Sequence, residues 1–497
     1  MTPRGPLVVV GDTLLDVDID GPARRLSPDA PVPVVDCQQQ RYRAGGAGLA
    51  AVLAGPGVIL VTALGDDPAA DRLRELLGRH VEVLSLPLHG ATASKVRIRA
   101  SGQPVVRLDS GDGRAAPGPA GPGIREALAG AGAVLVSDYG RGVTAHPGLA
   151  ELLAGLPRTV PVVWDPHPAG QPPAATARLV TPNRAEARSL AAAFGAEAGP
   201  PESGGPAAQA ARDAGRLARR WGTAVAVTLG DAGAVLSSGD GLPVVLPAPE
   251  LPPALALDSC GAGDAFAAAA ALALQSGGLL TDAVAEAVRE ATAFVGRGGA
   301  GRAPAAEDPG GPDLAPLLSV PAWAASRPGC VPTSPAGAGN GWDVVAGVRA
   351  RGGRVVATGG CFDLLHAGHV SLLREARRLG DCLIVCLNSD SSVAGLKGPG
   401  RPLVGQEDRA AVLAALAPVD AVIIFDEQAP SALLERLRPD LWVKGGDYGH
   451  ADLAEAEVVR RHGGEAMLLP YLSHHSTSQI VAAARSAPGS ALAIPAG

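Results

Sequence analysis

The sequence predicts an α/β protein of two domains, and three observations carry that expectation. At 497 residues the chain is too long for one ordinary core. Short apolar runs alternate with amphipathic helical stretches almost throughout, the pattern of largely parallel sheets with helical crossovers. The rhythm breaks only over 301–341, which reads GRAPAAEDPGGPDLAP … SRPGCVPTSPAGAGNG and has the Pro/Gly content of a linker. The expected division is a domain over 1–318, a linker over 319–341 and a second domain over 342–497.

Bulk composition narrows the function. A hydrophobic content of 47% with 18% charged residues belongs to a soluble globular chain. The net charge of −7 argues against nucleic acid as a partner, which would call for a basic stripe. No apolar run is long enough for a membrane span, and MTPRGPLVVVGD turns straight into a strand rather than a signal peptide. The six cysteines form no CxxC pair, so neither a disulfide framework nor a zinc ribbon is indicated and a cytoplasmic location is expected. Only three cationic residues are lysines, Lys95, Lys397 and Lys444. An ammonium is a compact point charge that a guanidinium does not always replace, so these three attract attention.

Taken in order, PLVVVGD, AVLVSDYG, VPVVWDPH, ARLVTPN and AVAVTLG read as strands of the first half, and RVVATGG, CLIVCLNSD and LWVKGGD as strands of the second. Each ends in a polar residue or glycine. Open α/β sheets bind ligands beyond the carboxyl ends of their strands, so these endings are candidate site residues. In LDSCGAGDAFAAAAALAL, Gly261, Ala262 and Gly263 precede a strongly helical alanine run. Small residues there leave backbone amides uncovered at a helix N-terminus, which suits an anion by geometry and dipole. Asp264 follows, placed to take the proton of a hydroxyl that attacks a bound γ-phosphate. A capped helix after a tight turn explains this fragment equally well when it is taken alone.

Its company adds a resemblance. GAGD, the early VVGDTLLD, the glycine pair in YRAGGAGLA and the later TPNRAE and VTLGDAG together resemble the ribokinase-like sugar kinases. LSPDAPVPVVD, KVRIRASGQPVVRLD and SDYGRG are similar to the kinase half of the bifunctional heptose 7-phosphate kinase / heptose 1-phosphate adenylyltransferase family. The resemblance covers nearly all of the first domain and implies a ribokinase-like α/β sandwich. It further implies Asp264 as the base, with Gly261, Ala262 and Gly263 as the anion hole. Asn183, Thr228 and Gly230 would lie along the ATP site, Asp12 and Asp16 would hold sugar hydroxyls, and Gly45 and Gly46 would let the backbone approach the sugar. Lys95 and Arg97 would meet the distal phosphate of the substrate, with Arg107 as a competitor. The chain departs from the family pattern at Leu49, where an asparagine is usual, at Arg141 and His167, where lysines are usual, and at Cys260, where a threonine is usual.

In the second half, RVVATGG leads through CFDLL into HAGHVSLLREARRLG. A zinc reading of His366 and His369 would need a third ligand at helical spacing, and no HExxH is present. At the start of a helix, both imidazoles can instead donate to phosphate oxygens beside the free amides of the first turn. This HxGH, with LIVCLNSD, LKGPGRPLVGQEDRAAVL, LWVKGGDY and STSQI, resembles the adenylyltransferase half of the same family and implies a Rossmann-like nucleotidyltransferase domain. The resemblance implies that His366, His369 and Lys397 surround the transferring phosphates, and that Gly359 and Phe362 border the nucleotide. Ser476, Thr477 and Ser478 would hold the β- and γ-phosphates, and Lys444 and Asp447 would lie near the nucleotide or the sugar phosphate. Arg409 could serve the site or be structural, paired with Glu407 or Asp408. The implied activities are C1 phosphorylation of a heptose 7-phosphate and adenylyl transfer to heptose 1-phosphate, with ATP as a substrate of both and Mg²⁺ as the expected ion. The implied partners are small sugar phosphates, with a homodimer possible in this family. The product would feed lipopolysaccharide or a glycosylated metabolite.

Overall fold

The computed structural model describes residues 5–100, 103–194, 205–251, 258–302, 341–398, 400–446 and 454–470. The chain divides into two compact units. One is formed by Met1–Gly195, Asp213–Gly239 and Pro247–Ser334, the other by Ala196–Arg212, Asp240–Leu246 and Pro335–Gly497. Among the described residues no helix is long and apolar enough to cross a membrane.

The central strand of the first unit is Leu7–Gly11, whose five residues are all buried. It pairs in parallel with Ile59–Leu64 on one side and Ala133–Ser137 on the other. Glu82–His89 extends the sheet beyond Ile59–Leu64, and Val162–Asp165, Ala177–Val180 and Ala224–Thr228 extend it beyond Ala133–Ser137, all in parallel. Continuous β-branched runs suit strands covered on both faces. The direction of strand addition reverses between Leu7–Gly11 and Ala133–Ser137, and ligands favour such a switch point. The alanine run of Ala262–Gln275 forms a buried helix, as high helix propensity and small side chains allow.

A second, four-stranded sheet belongs to the same unit, in the order Gln39–Gly46, Thr13–Gly21, Ser94–Ala100, Gln103–Ser110. Asp16 stands opposite Arg43 on one neighbour and Lys95 on the other, and Asp18 stands opposite Arg97. Side chains alternate faces along a strand, so these five charged residues share one face.

The second unit is a parallel sheet in the order Glu465–Leu469, Leu441–Gly445, Val355–Gly360, Cys382–Asn388, Ala421–Phe425. This is the doubly wound order, with its switch point between Val355–Gly360 and Leu441–Gly445. All seven residues of Cys382–Asn388 are buried, and Trp442 is fully enclosed. The α/β expectation for both halves is met.

Candidate active sites

At the switch point of the first unit, Asp12 follows the central strand. Its carboxylate accepts backbone N–H bonds from Tyr139 (3.0 Å), Arg141 (2.9 Å) and Val143 (3.1 Å). Burial raises its pKa despite these three donors. In this structure Asp12 therefore holds the 139–143 loop, work that its expected role toward sugar hydroxyls did not include. Asp138, just before the loop, does the same, accepting from Gly140 N–H at 2.7 Å and from the Thr144 hydroxyl at 2.7 Å.

The loop presents Tyr139, whose hydroxyl donates to Asp264 Oδ1 at 3.0 Å. Asp264 lies in the first turn of Ala262–Gln275 and is 5% exposed. Burial pushes its carboxyl up to about 7, opposed by the Tyr139 hydrogen bond and by Lys95, and reinforced by Asp16 and Glu186. Gly261 caps the helix at φ 80°, a left-handed conformation that favours glycine. A Cβ there would also lie 2.7 Å from Leu49 Cδ2. Leu49 thus packs on the glycine loop, in a buried cluster with Ala265, Phe294 and Ala300, and is an apolar wall where a polar contact to sugar is usual. A Cβ at Gly263 would meet nothing within 4 Å, which leaves that stretch of backbone uncovered.

Gly45 and Gly46 serve close approach, but of the protein's own groups. A Cβ on Gly45 would collide with the Asp16 carboxylate and come within 2.7 Å of Leu14, and one on Gly46 would touch the Tyr139 ring at 3.3 Å. Asp16 is buried and bonded to Arg97 Nη1 at 2.6 Å. Arg43, whose side chain is 10% exposed, bonds Asp18 through Nη1. Its Nη2 is buried without a hydrogen-bond partner. Lys95 sits over the Tyr139 ring, 5.4 Å from its centroid. Arg107 lies on the exposed edge strand Gln103–Ser110 and is paired with Asp109 at 2.8 Å.

On the nucleotide side, Asn183 caps Arg184–Ala193, its side-chain oxygen accepting from Ala185 and Glu186 N–H while Glu186 reaches back to the Asn183 N–H. This capping box fixes Glu186 near Asp165 and Asp264. Burial and the charges of Glu186 and Asp264 push the Asp165 carboxyl well above its usual range. Thr228 forms a parallel bridge with Asn183, and Gly230 opens a short 3₁₀ turn at φ 70°. The sequence reading missed Tyr139, Asp165 and Arg43 as site neighbours. The alternation of charge in RYR and KVRIR was the available signal for Arg43.

In the second unit, strand Val355–Gly360 runs into Cys361–Leu365 and helix Ala367–Arg378, with His366 at its N-cap. The rings of His366 and His369 stack, centroids 3.8 Å apart with planes at 25°. Phe362, buried and at φ 45°, packs against His369 with ring centroids 5.2 Å apart and so sets that ring. Burial, His366 and Lys397 together depress the His369 pKa to about 4. The imidazole is therefore neutral near pH 7, with one N–H to offer. Gly359 owes its small size to Trp442, whose ring a Cβ would meet at 2.6 Å. Lys397 ends helix Asp390–Lys397. Lys444, at the end of its strand, bonds Glu455 at 2.6 Å. Asp447, Ser476, Thr477 and Ser478 lie outside the described residues.

Arg409 is structural, with partners other than those expected. Its guanidinium, 1% exposed, donates to the carbonyls of Val404, Cys361 and Asn388 and bonds Asp390 at 2.7 Å. Asp363 accepts from Leu403 and Val404 N–H and pairs with Arg401 at 2.9 Å. These two residues lock the loop after Lys397 to the histidine turn. Arg409→Ala is expected to destabilise the second unit by about 3–5 kcal/mol, because buried acceptors lose their donor. A two-step thermal melt should show only one transition lowered, and an unchanged melt would contradict this role.

Comparison with known proteins fits two catalytic units. Residues 151–307 match the pfkB family of carbohydrate kinases, and residues 357–480 match the cytidylyltransferase-like family. The Arabidopsis thaliana ribokinase complexed with ribose and ATP is similar at 23% identity and a TM-score of 0.46, over 59% of this chain and 93% of that one. The bifunctional protein HldE of Streptomyces coelicolor is 51% identical over 97% of both chains. The chain belongs to the HldE family. HldE of Azorhizobium caulinodans is a further relative, 38% identical over 97% of this chain and 99% of that one. Membership agrees with the resemblance to a fused sugar kinase and nucleotidyltransferase, and the chain is an enzyme of both kinds.

Proposed function

We propose that the two units carry out the kinase and adenylyltransferase steps of ADP-heptose synthesis, at separate ATP sites and in the cytoplasm. The proposed boundaries are a kinase domain over 1–318 and an adenylyltransferase domain over 342–497. The carrying observation is the buried Asp264 at an uncovered helix N-terminus, with a charged sheet face belonging to the same unit. In the kinase step the C1 oxygen of heptose 7-phosphate attacks the γ-phosphorus, the bond to the bridging oxygen breaks, ADP leaves and Asp264 takes the proton. Gly261, Ala262 and Gly263 offer amides to the charge that develops. The 7-phosphate is met by Lys95 and Arg97. Asp16, held by Arg97, faces the sugar, while Asn183, Thr228 and Gly230 border ATP.

In the second step a heptose 1-phosphate oxygen attacks the α-phosphorus and pyrophosphate leaves. The nucleophile is already anionic, so the domain supplies alignment and charge through His366, His369 and Lys397 rather than a base. Gly359, Lys444, Asp447, Ser476, Thr477 and Ser478 are assigned by family resemblance to the nucleotide and sugar phosphate. A phosphatase must remove the 7-phosphate between the two steps.

Mg²⁺ fits as a partner of the polyphosphate. Among the described residues no group of three acidic, histidine or cysteine side chains could hold a metal. The mutually repelling Asp165, Glu186 and Asp264 nevertheless favour a cation nearby. Bound with ATP, it would neutralise phosphate charge.

Purified protein given ATP, Mg²⁺ and heptose 7-phosphate should yield heptose 1,7-bisphosphate by mass spectrometry, and ADP-heptose only when the phosphatase is added. Absence of both products rejects the reading.

A further inference from the structure

The 139–143 loop carries one group that the family reading leaves without a task. Tyr139 is fixed from three sides. Its N–H is held by Asp12 at 3.0 Å, its ring packs on Gly46, and the Lys95 ammonium lies over the ring, 5.4 Å from its centroid. Packing alone would be served as well by phenylalanine. The hydroxyl instead reaches Asp264 Oδ1 at 3.0 Å, across 125 residues of chain. An ionised carboxylate accepts only, and accepts more strongly than the neutral acid, so the contact favours the charged form.

We propose that Tyr139 is a positioning residue for phosphoryl transfer: its hydroxyl favours the ionised form of Asp264 and occupies Oδ1, leaving Oδ2 for the attacking hydroxyl. This rests on the kinase reading of the first unit. The balance it corrects is visible around the carboxylate. Burial, Asp16 and Glu186 disfavour the charged form, while Tyr139 and Lys95 favour it. Without the phenol, Lys95 and the amides of the helix tip would be left to hold the charge against burial, Asp16 and Glu186. Asp12 then acts on catalysis at one remove, by anchoring the loop that carries the tyrosine.

The test is the pH dependence of kcat/KM for heptose 7-phosphate phosphorylation, which reports groups of the free enzyme. Tyr139→Phe should move the acid limb to higher pH by about one unit, the size of a lost hydrogen bond to a charged group. The deficit should then be about tenfold larger on the acid side of the profile than on the alkaline plateau. Replacing Tyr139 with 3-fluorotyrosine, a stronger donor, should move the limb the opposite way. An acid limb that stays in place in either active protein overturns the proposal. If the phenylalanine protein is inactive throughout, the direction of the fluorotyrosine shift decides. Wild-type protein that phosphorylates no sugar phosphate would instead reject the kinase reading itself.

Discussion

Asp264→Asn is expected to abolish sugar phosphorylation while adenylyl transfer continues at the wild-type rate. An amide of nearly the same shape keeps the Tyr139 contact available, so the helix tip survives, but it cannot take a proton from the attacking hydroxyl. The loss expected for removing a general base is about 10²–10⁴-fold in kcat. The wild-type acid limb should fall near pH 7, because burial holds the Asp264 carboxyl at about 7. The sign follows from the role: the base must be ionised, so kcat/KM rises with pH through that value and levels off above it. Equal loss of both activities would contradict separate sites. A wild-type limb near the ordinary carboxylate range of about 4 would mean that a group other than Asp264 limits the rate.

Much of this was legible in the sequence because the chemistry clusters where elements end. The strand terminus before Asp12, the glycines before Asp264 and the HAGH turn each lie within a few residues of the structure that positions them. What was not legible depends on contacts between distant segments. Tyr139 sits in SDYGRG without any local sign that its hydroxyl meets Asp264, and Arg43 is 52 residues ahead of Lys95 although both flank Asp16. Gly45 and Gly46 were read as letting the backbone approach a sugar, and Gly359 as bordering the nucleotide. The first two make room for Asp16 and Tyr139, and the third for Trp442. A glycine states that something comes close, and only the fold says what. Arg409 was undecided between site and scaffold because its neighbours Glu407 and Asp408 were in view. Its actual acceptors are carbonyls of Cys361, Asn388 and Val404 and the carboxylate of Asp390, gathered by the sheet order.

His369→Ala should give the converse of the aspartate substitution: adenylyl transfer lost, sugar phosphorylation intact. The ring lies in the first turn of its helix, stacked on His366 and seated against Phe362, so its direction is set before ligand arrives. A donor aimed in advance at developing charge is worth about 10²–10³-fold in kcat when removed. Alanine also takes away the stacking partner of His366, and the deficit should lie toward the upper end. His369→Asn, which restores an N–H donor without the ring, should recover part of the rate if donation matters. The depressed pKa adds a separate check. Burial and the positive surroundings of His366 and Lys397 hold the imidazole neutral, so an NMR titration of the free protein should find His369 uncharged down to about pH 5. Triphosphate binding reverses part of that balance by bringing negative charge to the ring, and the titration should then move upward. A His369 that titrates near its ordinary value of about 6.5 in the free protein, and does not respond to ATP, would place it away from the phosphates.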